Sequence, residues 1–148
     1  NFSDHDLQVA PMRQMAVVAC MDSRMDTFKL LGLKNGEAHI IRNAGGIVSD
    51  DVIRSLCLSQ RALGTREIVL VHHTDCGLEK VTDDGFKNQL EAELGIKPRW
   101  SVESFVDPYA DVRQSMQRLL VTPFVDATYM RGFVYDVTTG AINEVTLD

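Results

Sequence analysis

Apolar residues occur in short runs separated by polar turns, and three of these runs have the pattern of buried strands. Residues 15–20, 38–42 and 67–73 each contain a run of apolar side chains rich in Val, Ile or Leu, which is typical of strands covered on both faces in a parallel sheet. Between the second and third runs, apolar positions recur every three to four residues over 49–63, which predicts a helix. Strands that alternate with helices indicate βαβ units and a parallel sheet.

The remaining periodic segments predict the other helices and the last two strands. Residues 27–31 are compatible with a short helix, while 82–94 and 107–120 have amphipathic helical patterns, so we expect both longer helices to cover the sheet. Residues 130–136 and 141–146 alternate in polarity on either side of a turn, which predicts a hairpin at a sheet edge. The predicted fold class is α/β, with a central, mostly parallel β-sheet flanked by helices and a C-terminal edge hairpin.

Length and composition limit the architecture and the partners. With 148 residues, 45% of them hydrophobic, the chain is long enough for one compact core, so we expect a single domain over 1–148. The apolar runs are far shorter than the roughly 18 residues of a membrane span. A formal net charge of −6 without a basic stripe repels phosphate backbones. We therefore expect a protein that binds neither membranes nor nucleic acids.

Cysteine usage and the opening segment bear on the cellular compartment. The chain has three cysteines, and this odd number argues against a closed disulfide framework and is typical of a reducing compartment. Residues 1–11 do not have the basic start, apolar middle and small-residue cleavage site of a secretory signal. These observations predict a cytoplasmic location.

Chemically distinctive residues follow all three inner strands. The first strand ends in Cys-Met-Asp-Ser-Arg at 20–24, the second in Arg-Asn-Ala-Gly-Gly at 42–46, and the third in His-His-Thr-Asp-Cys-Gly at 72–77. In a parallel sheet, ligands bind outside the carboxyl ends of the strands. We therefore expect these three segments to form one site.

Two cysteines and one histidine in these segments form a set of zinc ligands. Zinc in catalytic sites takes three protein ligands in tetrahedral geometry and leaves a fourth position open. Cys20, His73 and Cys76 supply such a set, because the His-x-x-Cys spacing lets one turn direct an imidazole and a thiolate to the same ion. The predicted cofactor is Zn²⁺, bound by these three side chains.

Asp22 and Arg24 lie in the same turn as Cys20 and can pair as carboxylate and guanidinium. While Arg24 holds Asp22, the carboxylate can accept a hydrogen bond from a water on the metal and orient that water. Once released, Asp22 can bind the zinc itself and close the fourth position. Both states are predicted to be reachable, and loss of Arg24 should favour the closed one.

Three short motifs, one after each inner strand, together carry a resemblance to a known family. They are Cys20-x-Asp22-x-Arg24, Arg42-Asn43-Ala44-Gly45-Gly46 and His73-x-x-Cys76-Gly77. At these separations the combination resembles the β-class carbonic anhydrases over most of the chain, and it is most similar to a short bacterial, actinobacterial-like branch. The resemblance implies reversible hydration of carbon dioxide to bicarbonate by zinc-bound hydroxide, with Asp22 and Arg24 as the catalytic dyad. It also implies a homodimer or higher homo-oligomer whose active-site cleft is shared between subunits.

Gly45 and Gly46 are candidates for the wall of the substrate pocket. They fit an ordinary turn, because glycine permits backbone shapes that other residues resist. Beside a ligand set, they also let the backbone approach the metal, where their amide groups can orient bicarbonate or the oxygen under attack.

Other functions stay open on the same residues. Close relatives of this fold and ligand set hydrolyse carbonyl sulfide and carbon disulfide, so the zinc motif does not fix the substrate. Asp22 as a permanent fourth ligand would give a closed structural zinc site in a binding module. A phosphatase that uses Cys20 as its nucleophile is disfavoured, because its loop needs an arginine where this chain has Asp26, and the two aspartates there would repel phosphate.

The remaining cysteine, histidine and aspartate candidates are expected to be structural or supporting. Cys57 lies at an apolar-compatible position of the predicted helix, which predicts a core residue. His72 precedes a ligand on a strand, so its side chain should point to the opposite face of the sheet from His73. Asp75 lies between two ligands and is a candidate to orient the ligand histidine.

Overall fold

The computed structural model describes residues 3–148. We predicted that the opening segment 1–11 lacks a secretory signal, and the first two residues of that segment lie outside the described residues. A five-stranded sheet forms the centre of the fold, in the order β2-β1-β3-β4-β5. Its strands are β1 (Met15–Cys20), β2 (Ala38–Asn43), β3 (Glu67–His73), β4 (Tyr129–Tyr135) and β5 (Ile142–Val145). The first four strands run parallel, and β5 pairs antiparallel with β4 at one edge. The predicted α/β class, the mostly parallel sheet and the edge hairpin are confirmed.

Helices connect and flank these strands, and each begins at a residue that caps it. The helices are α1 (Thr27–Leu31), α2 (Asp50–Arg61), α3 (Asp83–Leu94) and α4 (Pro108–Val121). The residue before each helix has a short polar side chain that accepts a hydrogen bond from a backbone N–H of the first turn; these residues are Asp26, Ser49, Thr82 and Asp107. Such caps satisfy N–H groups that have no partner within the helix, so the sequence itself fixes where each helix starts.

One face of the sheet is covered by α2 and α4. Alternate residues of β1 and β3, such as Val18 and Leu70, are fully buried there against Leu56 of α2 and Leu119 of α4. Because both central strands are apolar on their two faces, they need a layer on each side. This face supplies the larger apolar core.

The opposite face is covered by α1 and by the loops that follow β1 and β3. Val17 and Val71 pack there with Met25, Leu33 and Leu78, so the loops at the carboxyl ends of the strands contribute directly to this second core. The same loops carry the distinctive residues, and their packing therefore positions the candidate site.

Two expectations about packing were wrong. Helix α3 was predicted to cover the sheet, but none of its residues is buried and it makes no extensive contact with a strand. The amphipathic pattern was real, but such a pattern shows that a helix has an apolar face and does not identify the surface that covers it. Cys57, predicted to be a core residue, is only partly buried, because it lies on the flank of α2 between buried Leu56 and exposed Leu58.

In residues 3–148, no helix has both the length and the apolar character needed to cross a membrane.

Candidate metal centre

Three buried side chains meet where β1 and β3 end. Cys20 is the last residue of β1 and His73 the last of β3, two strands that pair in parallel, while Cys76 follows in the turn after β3. The two thiol sulfurs and a ring nitrogen of His73 all lie within 4.8 Å of one another. Each of the three residues is at most 4% exposed. The sequence therefore predicted correctly which side chains the fold brings together.

The hydrogen bonding of His73 leaves one ring nitrogen free for a ligand. Its Nδ1 lies 2.7 Å from the carbonyl oxygen of Thr74, and since a carbonyl can only accept, Nδ1 carries the proton. Nε2 then carries an unprotonated lone pair, and it is buried without a hydrogen-bond partner within the described chain. A buried, unpaired nitrogen costs free energy, whereas the same nitrogen beside two sulfurs completes a donor set that suits zinc. The residues present fit that ion.

The proximity of the two thiols shifts their pKa values in opposite directions. A hydrogen bond from Cys76 is the largest influence on Cys20 and lowers the pKa of its thiol, against the opposing effect of burial. Hydrogen bonds from the backbone N–H groups of Asp22 and Gly45 lower the pKa of Cys20 further. The pKa of Cys76 is raised, first because it donates to Cys20 and then because it is buried. Cys20 is thus prepared as a thiolate, the form that binds metals.

Asp22 and Arg24 form a fork-to-fork ion pair beside the cluster. Arg24 Nε lies 3.0 Å from Asp22 Oδ1, and Arg24 Nη2 lies 2.8 Å from Asp22 Oδ2. These hydrogen bonds are the main reason that the pKa of Asp22 is well below its usual range. Asp22 Oδ2 lies 3.6 Å from His73 Nε2, too far for a hydrogen bond. The carboxylate is therefore ionised, held by Arg24, and next to the nitrogen that faces the sulfurs.

Asp75 contacts the arginine of this pair rather than the histidine. Its Oδ2 accepts a hydrogen bond from Arg24 Nη1 at 3.0 Å, and its backbone carbonyl accepts one from Arg24 Nη2 at 2.8 Å. Lys80 Nζ lies 2.8 Å from Asp75 Oδ1. The expectation that Asp75 orients His73 was wrong, because the carbonyl of Thr74 already accepts the hydrogen bond from Nδ1 of that ring.

The glycine turn lies against the end of β1. Gly45 and Gly46 have φ values of +81° and +64°, in the left-handed region that favours glycine. A Cβ atom at Gly45 would lie 2.3 Å from the Leu78 side chain, and one at Gly46 would lie 2.8 Å from the backbone nitrogen of Cys20. The two glycines thus allow the turn to approach the candidate ligand closely.

Arg42 is a positioning residue whose role the sequence did not predict, although the residue belongs to the second motif. Its guanidinium donates to the carbonyl oxygens of Cys20, Asp22 and Met25 at 2.8–3.1 Å. These bonds fix the loop that carries the first ligand and the carboxylate. The available signal in the sequence was an arginine near the end of a strand that precedes a glycine turn. The three carbonyl groups that it binds come together only in the folded loop.

His72 has the role predicted for it. It is fully buried, and its Nε2 lies 2.8 Å from Asp111 Oδ2 of α4, on the opposite side of the sheet from the cysteines. Its ring also packs edge-on against Phe105, with the ring centroids 5.9 Å apart. His72 therefore ties β3 to the helix layer and does not enter the cluster.

The fold and the cluster together define an α/β protein with a buried Cys-His-Cys centre suited to one divalent metal ion and flanked by an Asp–Arg pair. Residues 15–101 match the family model described as carbonic anhydrase. The chain belongs to the carbonic anhydrase family, in its β class.

Individual relatives extend this likeness over nearly the whole chain. Beta-carbonic anhydrase 1 of Mycobacterium tuberculosis is 59% identical over 141 residues, which are 95% of this chain and 86% of that protein. A crystal structure of a carbonic anhydrase from Streptococcus mutans is similar with a TM-score of 0.90 and 43% identity, over 95% of this chain and 86% of that one. A carbon disulfide hydrolase of Acidianus sp. is 45% identical over 86 residues, 58% of this chain and 42% of that protein.

Proposed function

We propose that the protein is a zinc-dependent carbonic anhydrase that converts carbon dioxide and water reversibly to bicarbonate and a proton. Zn²⁺ would be held by Cys20, His73 and Cys76. The observation that carries this proposal is the buried cluster itself, with His73 Nε2 unpaired beside two thiols and 3.6 Å from Asp22 Oδ2. The 59% identity to a named β-carbonic anhydrase supports the same reaction.

The metal and the protein would divide the chemistry between them. Zinc lowers the pKa of water and so supplies a nucleophile near neutral pH. Two thiolates cancel the charge of a divalent ion, which leaves less charge to acidify water than in an all-histidine site. The side chains of this site must therefore orient the water, and Asp22 is placed to do so.

Asp22 would act as a fixed acceptor. Because Arg24 keeps the pKa of Asp22 well below its usual range, the carboxylate accepts hydrogen bonds and does not donate them at neutral pH. An oxygen nucleophile that donates one hydrogen to Asp22 has its lone pair directed elsewhere, toward the carbon of the substrate. Arg24 positions this acceptor and, by holding it, would keep a fourth position on the zinc open to water or substrate.

The same pair would gate the site. Asp22 lies close enough to the cluster to become a fourth ligand if Arg24 releases it, which would close the position that substrate needs. Gly45 and Gly46 would line the substrate pocket, because the lack of side chains lets their turn pack directly against Leu78 and the end of β1, beside Cys20. The Gly45 N–H is directed to Cys20, so Gly46 is the better candidate to contact bicarbonate.

A sulfur analogue is the second candidate substrate. The partial similarity to a protein named carbon disulfide hydrolase supports carbon disulfide as a candidate, and the ligand set does not distinguish the two substrates. Greater identity and coverage favour carbon dioxide.

Stopped-flow hydration of carbon dioxide by the zinc-loaded protein tests the proposal, from roughly pH 6.5 to about pH 9 to bracket a metal-lowered water pKa. Protein stripped of zinc is the control. We expect zinc-dependent turnover that rises with pH. Absence of turnover, combined with hydrolysis of carbon disulfide, would assign the sulfur substrate; inactivity toward both would indicate a closed structural zinc site.

We also propose that the chain forms a homodimer or higher homo-oligomer in the cytoplasm. Helix α3 carries apolar residues at i, i+4 and i+8, namely Phe86, Leu90 and Leu94, and none is buried. Trp100 is 59% exposed nearby in the sequence, and an apolar surface of this kind marks an interface. Light scattering of wild type and Leu94→Glu tests the assembly: a smaller mass for the variant supports this surface, and a wild-type monomer contradicts it.

The proposed cytoplasmic location has separate support. The cysteines of the described chain are all free, which supports a reducing compartment.

A further inference from the structure

The guanidinium of Arg24 is held from two sides. On one side it donates to both carboxylate oxygens of Asp22, at 3.0 and 2.8 Å. On the other it donates to the carboxylate and the backbone carbonyl of Asp75, at 3.0 and 2.8 Å. Nη2 bridges the two sides, because it donates both to Asp22 Oδ2 and to the Asp75 carbonyl. The orientation of Arg24 toward Asp22 therefore depends on where Asp75 lies.

Asp75 belongs to a turn that is fixed independently of Arg24. The preceding residue, Thr74, donates its backbone N–H to the carbonyl of Tyr135 at 2.9 Å, and its hydroxyl accepts from the N–H of Val137 at 3.1 Å. Asp75 itself has a φ of +53°, a left-handed conformation in which aspartate is among the better tolerated residues. This turn also joins His73 to Cys76, so the anchor of Arg24 belongs to the segment that carries two of the candidate ligands.

Lys80 holds the other oxygen of Asp75. Its Nζ lies 2.8 Å from Asp75 Oδ1, so the two carboxylate oxygens are divided between two cations. Lys80 follows the short helical turn 77–79, and its backbone N–H donates to the carbonyl of Gly77 at 3.1 Å. The result is a continuous chain of contacts, Lys80–Asp75–Arg24–Asp22, that runs from the rim to the cluster.

We propose that Asp75 is a positioning residue which, supported by Lys80, keeps Arg24 on Asp22 and thereby keeps Asp22 off the metal. The inference rests on the proposed function, since it concerns the open and closed states of that same site. Without the Asp75 carboxylate, Arg24 Nη1 loses its acceptor, and a side chain that is 46% exposed can turn toward solvent. Asp22 Oδ2, 3.6 Å from His73 Nε2, is then free to become a ligand.

The alternative is that Asp75 only stabilises its own turn. In that case its loss would lower stability without changing the competition between Asp22 and an external ligand. A double-mutant cycle separates the two roles, because coupling to Asp22 is expected only if Asp75 acts through that carboxylate.

The experiment measures binding of thiocyanate to the Co²⁺-substituted protein by the change in its visible absorption. We expect thiocyanate to bind Asp75→Ala about fivefold more weakly than wild type, the size of effect that an exposed ionic network gives. Lys80→Met should weaken binding about twofold, because it removes only the outer contact. Glu144→Ala breaks an exposed two-bond pair with Arg131 on β4 and should bind like wild type.

The decisive comparison is made with Asp22→Asn, which has no carboxylate to close the site. In that background Asp75→Ala should leave thiocyanate affinity unchanged. Unaltered affinity for Asp75→Ala alone would overturn the proposal, and so would a weakening that persists with Asn at position 22. If Asp75→Ala does not fold, Asp75→Asn serves in its place, because it keeps the shape and loses the charge.

The readout does not depend on turnover. If the protein does not hydrate carbon dioxide but the cycle shows coupling, the positioning role stands and the proposed function fails. If the protein hydrates carbon dioxide and the cycle shows no coupling, the proposed function stands and the positioning role of Asp75 fails.

Discussion

Gly46 lies directly against the backbone of Cys20. A Cβ atom at Gly46 would lie 2.8 Å from the Cys20 nitrogen and 2.9 Å from the carbonyl carbon of Ala19, and the residue has a φ of +64°. Two independent features therefore require glycine at this position: the close approach of the Cys20 backbone and the left-handed backbone conformation. The contact places the glycine turn across the end of β1, where the first candidate ligand lies.

Gly46→Ala should therefore lower the free energy of unfolding by about 3 kcal/mol, the sum of backbone strain and overpacking. Gly140→Ala is the matched control, because Gly140 also has a positive φ of +77° but has nothing within 4 Å of an added Cβ. The control should lose only about 1 kcal/mol. Urea unfolding of both variants checks this, and equal losses would show that the contact with Cys20 is unimportant.

Replacing one thiol ligand should abolish tight zinc binding. In Cys76→Ser, we expect zinc affinity to fall by more than about 100-fold, because loss of supporting partners alone costs 10- to 100-fold. Cys57→Ser is the control, since Cys57 is the remaining cysteine and lies on α2, away from the cluster. Competition with a chromogenic chelator measures both. Wild-type affinity in Cys76→Ser would remove Cys76 from the ligand set.

The sequence was sufficient for the parts of the fold that local patterns determine. Apolar runs located β1 and β3, and in a parallel sheet the ends of neighbouring strands coincide, so Cys20 and His73 could be brought together without coordinates. Ser49 caps the start of α2 and Gly95 ends α3, and such caps are local interactions that a short stretch of sequence determines. The hairpin at the edge followed from alternation and a turn.

What the sequence did not reveal depends on contacts between distant segments. Arg24 and Asp75 are 51 positions apart and meet only in the folded chain, where Asp75 has a left-handed backbone. The three carbonyls that Arg42 binds become neighbours only in the folded loop. The exposure of α3 could not be foreseen either, because an apolar stripe does not say whether its cover lies in the same chain.

Loss of Arg24 should slow the reaction without releasing zinc. In Arg24→Ala, Asp22 loses the fork that holds it, and we expect kcat/KM for carbon dioxide at neutral pH to fall by at least about tenfold, a modest cost for a lost charge-assisted pair near the reacting atoms. Arg24→Lys should recover little, because a lysine ammonium cannot reproduce the planar fork. Stopped-flow rates and metal analysis are made on the same samples.

Arg54→Ala is a suitable control for Arg24→Ala. Arg54 pairs with Asp51 at 3.0 Å on the exposed face of α2, so it tests the general effect of losing a surface arginine. Its rate should match that of wild type. Full turnover in Arg24→Ala with zinc bound would mean that Asp22 needs no partner to stay in place.

Asp83 should make the stability of the protein depend on pH in the acid range. Its carboxylate accepts hydrogen bonds from the Ser104 hydroxyl and N–H at 2.6 and 2.8 Å, from the N–H groups of Glu103 and Val102 at 3.1 Å, and from the Ser101 hydroxyl at 3.1 Å. These bonds, with those from Ser104 the strongest, hold the pKa of Asp83 well below its usual range.

The sign of the pH effect follows from that direction. A carboxyl whose pKa is lower in the folded state stabilises the protein fully above its unfolded pKa, about 3.9 for aspartate, and loses this contribution as the pH falls toward the folded pKa. Asp83→Asn should therefore lower the free energy of unfolding by about 2 kcal/mol at pH 7. The difference between wild type and variant should shrink once the pH falls below about 4.

Asp84→Asn provides the control for Asp83→Asn, because both aspartates lie in the first turn of α3 and interact similarly with the helix dipole. Asp84 is exposed, so its replacement should cost only a few tenths of a kcal/mol. Urea unfolding of wild type and the two variants is measured at pH 7, 5 and 3.5. The zinc concentration is the same in every sample, so that loss of metal in acid affects the three proteins alike. A deficit in Asp83→Asn that stays constant down to the lowest pH would show that the hydrogen bonds to this carboxylate do not depend on its charge.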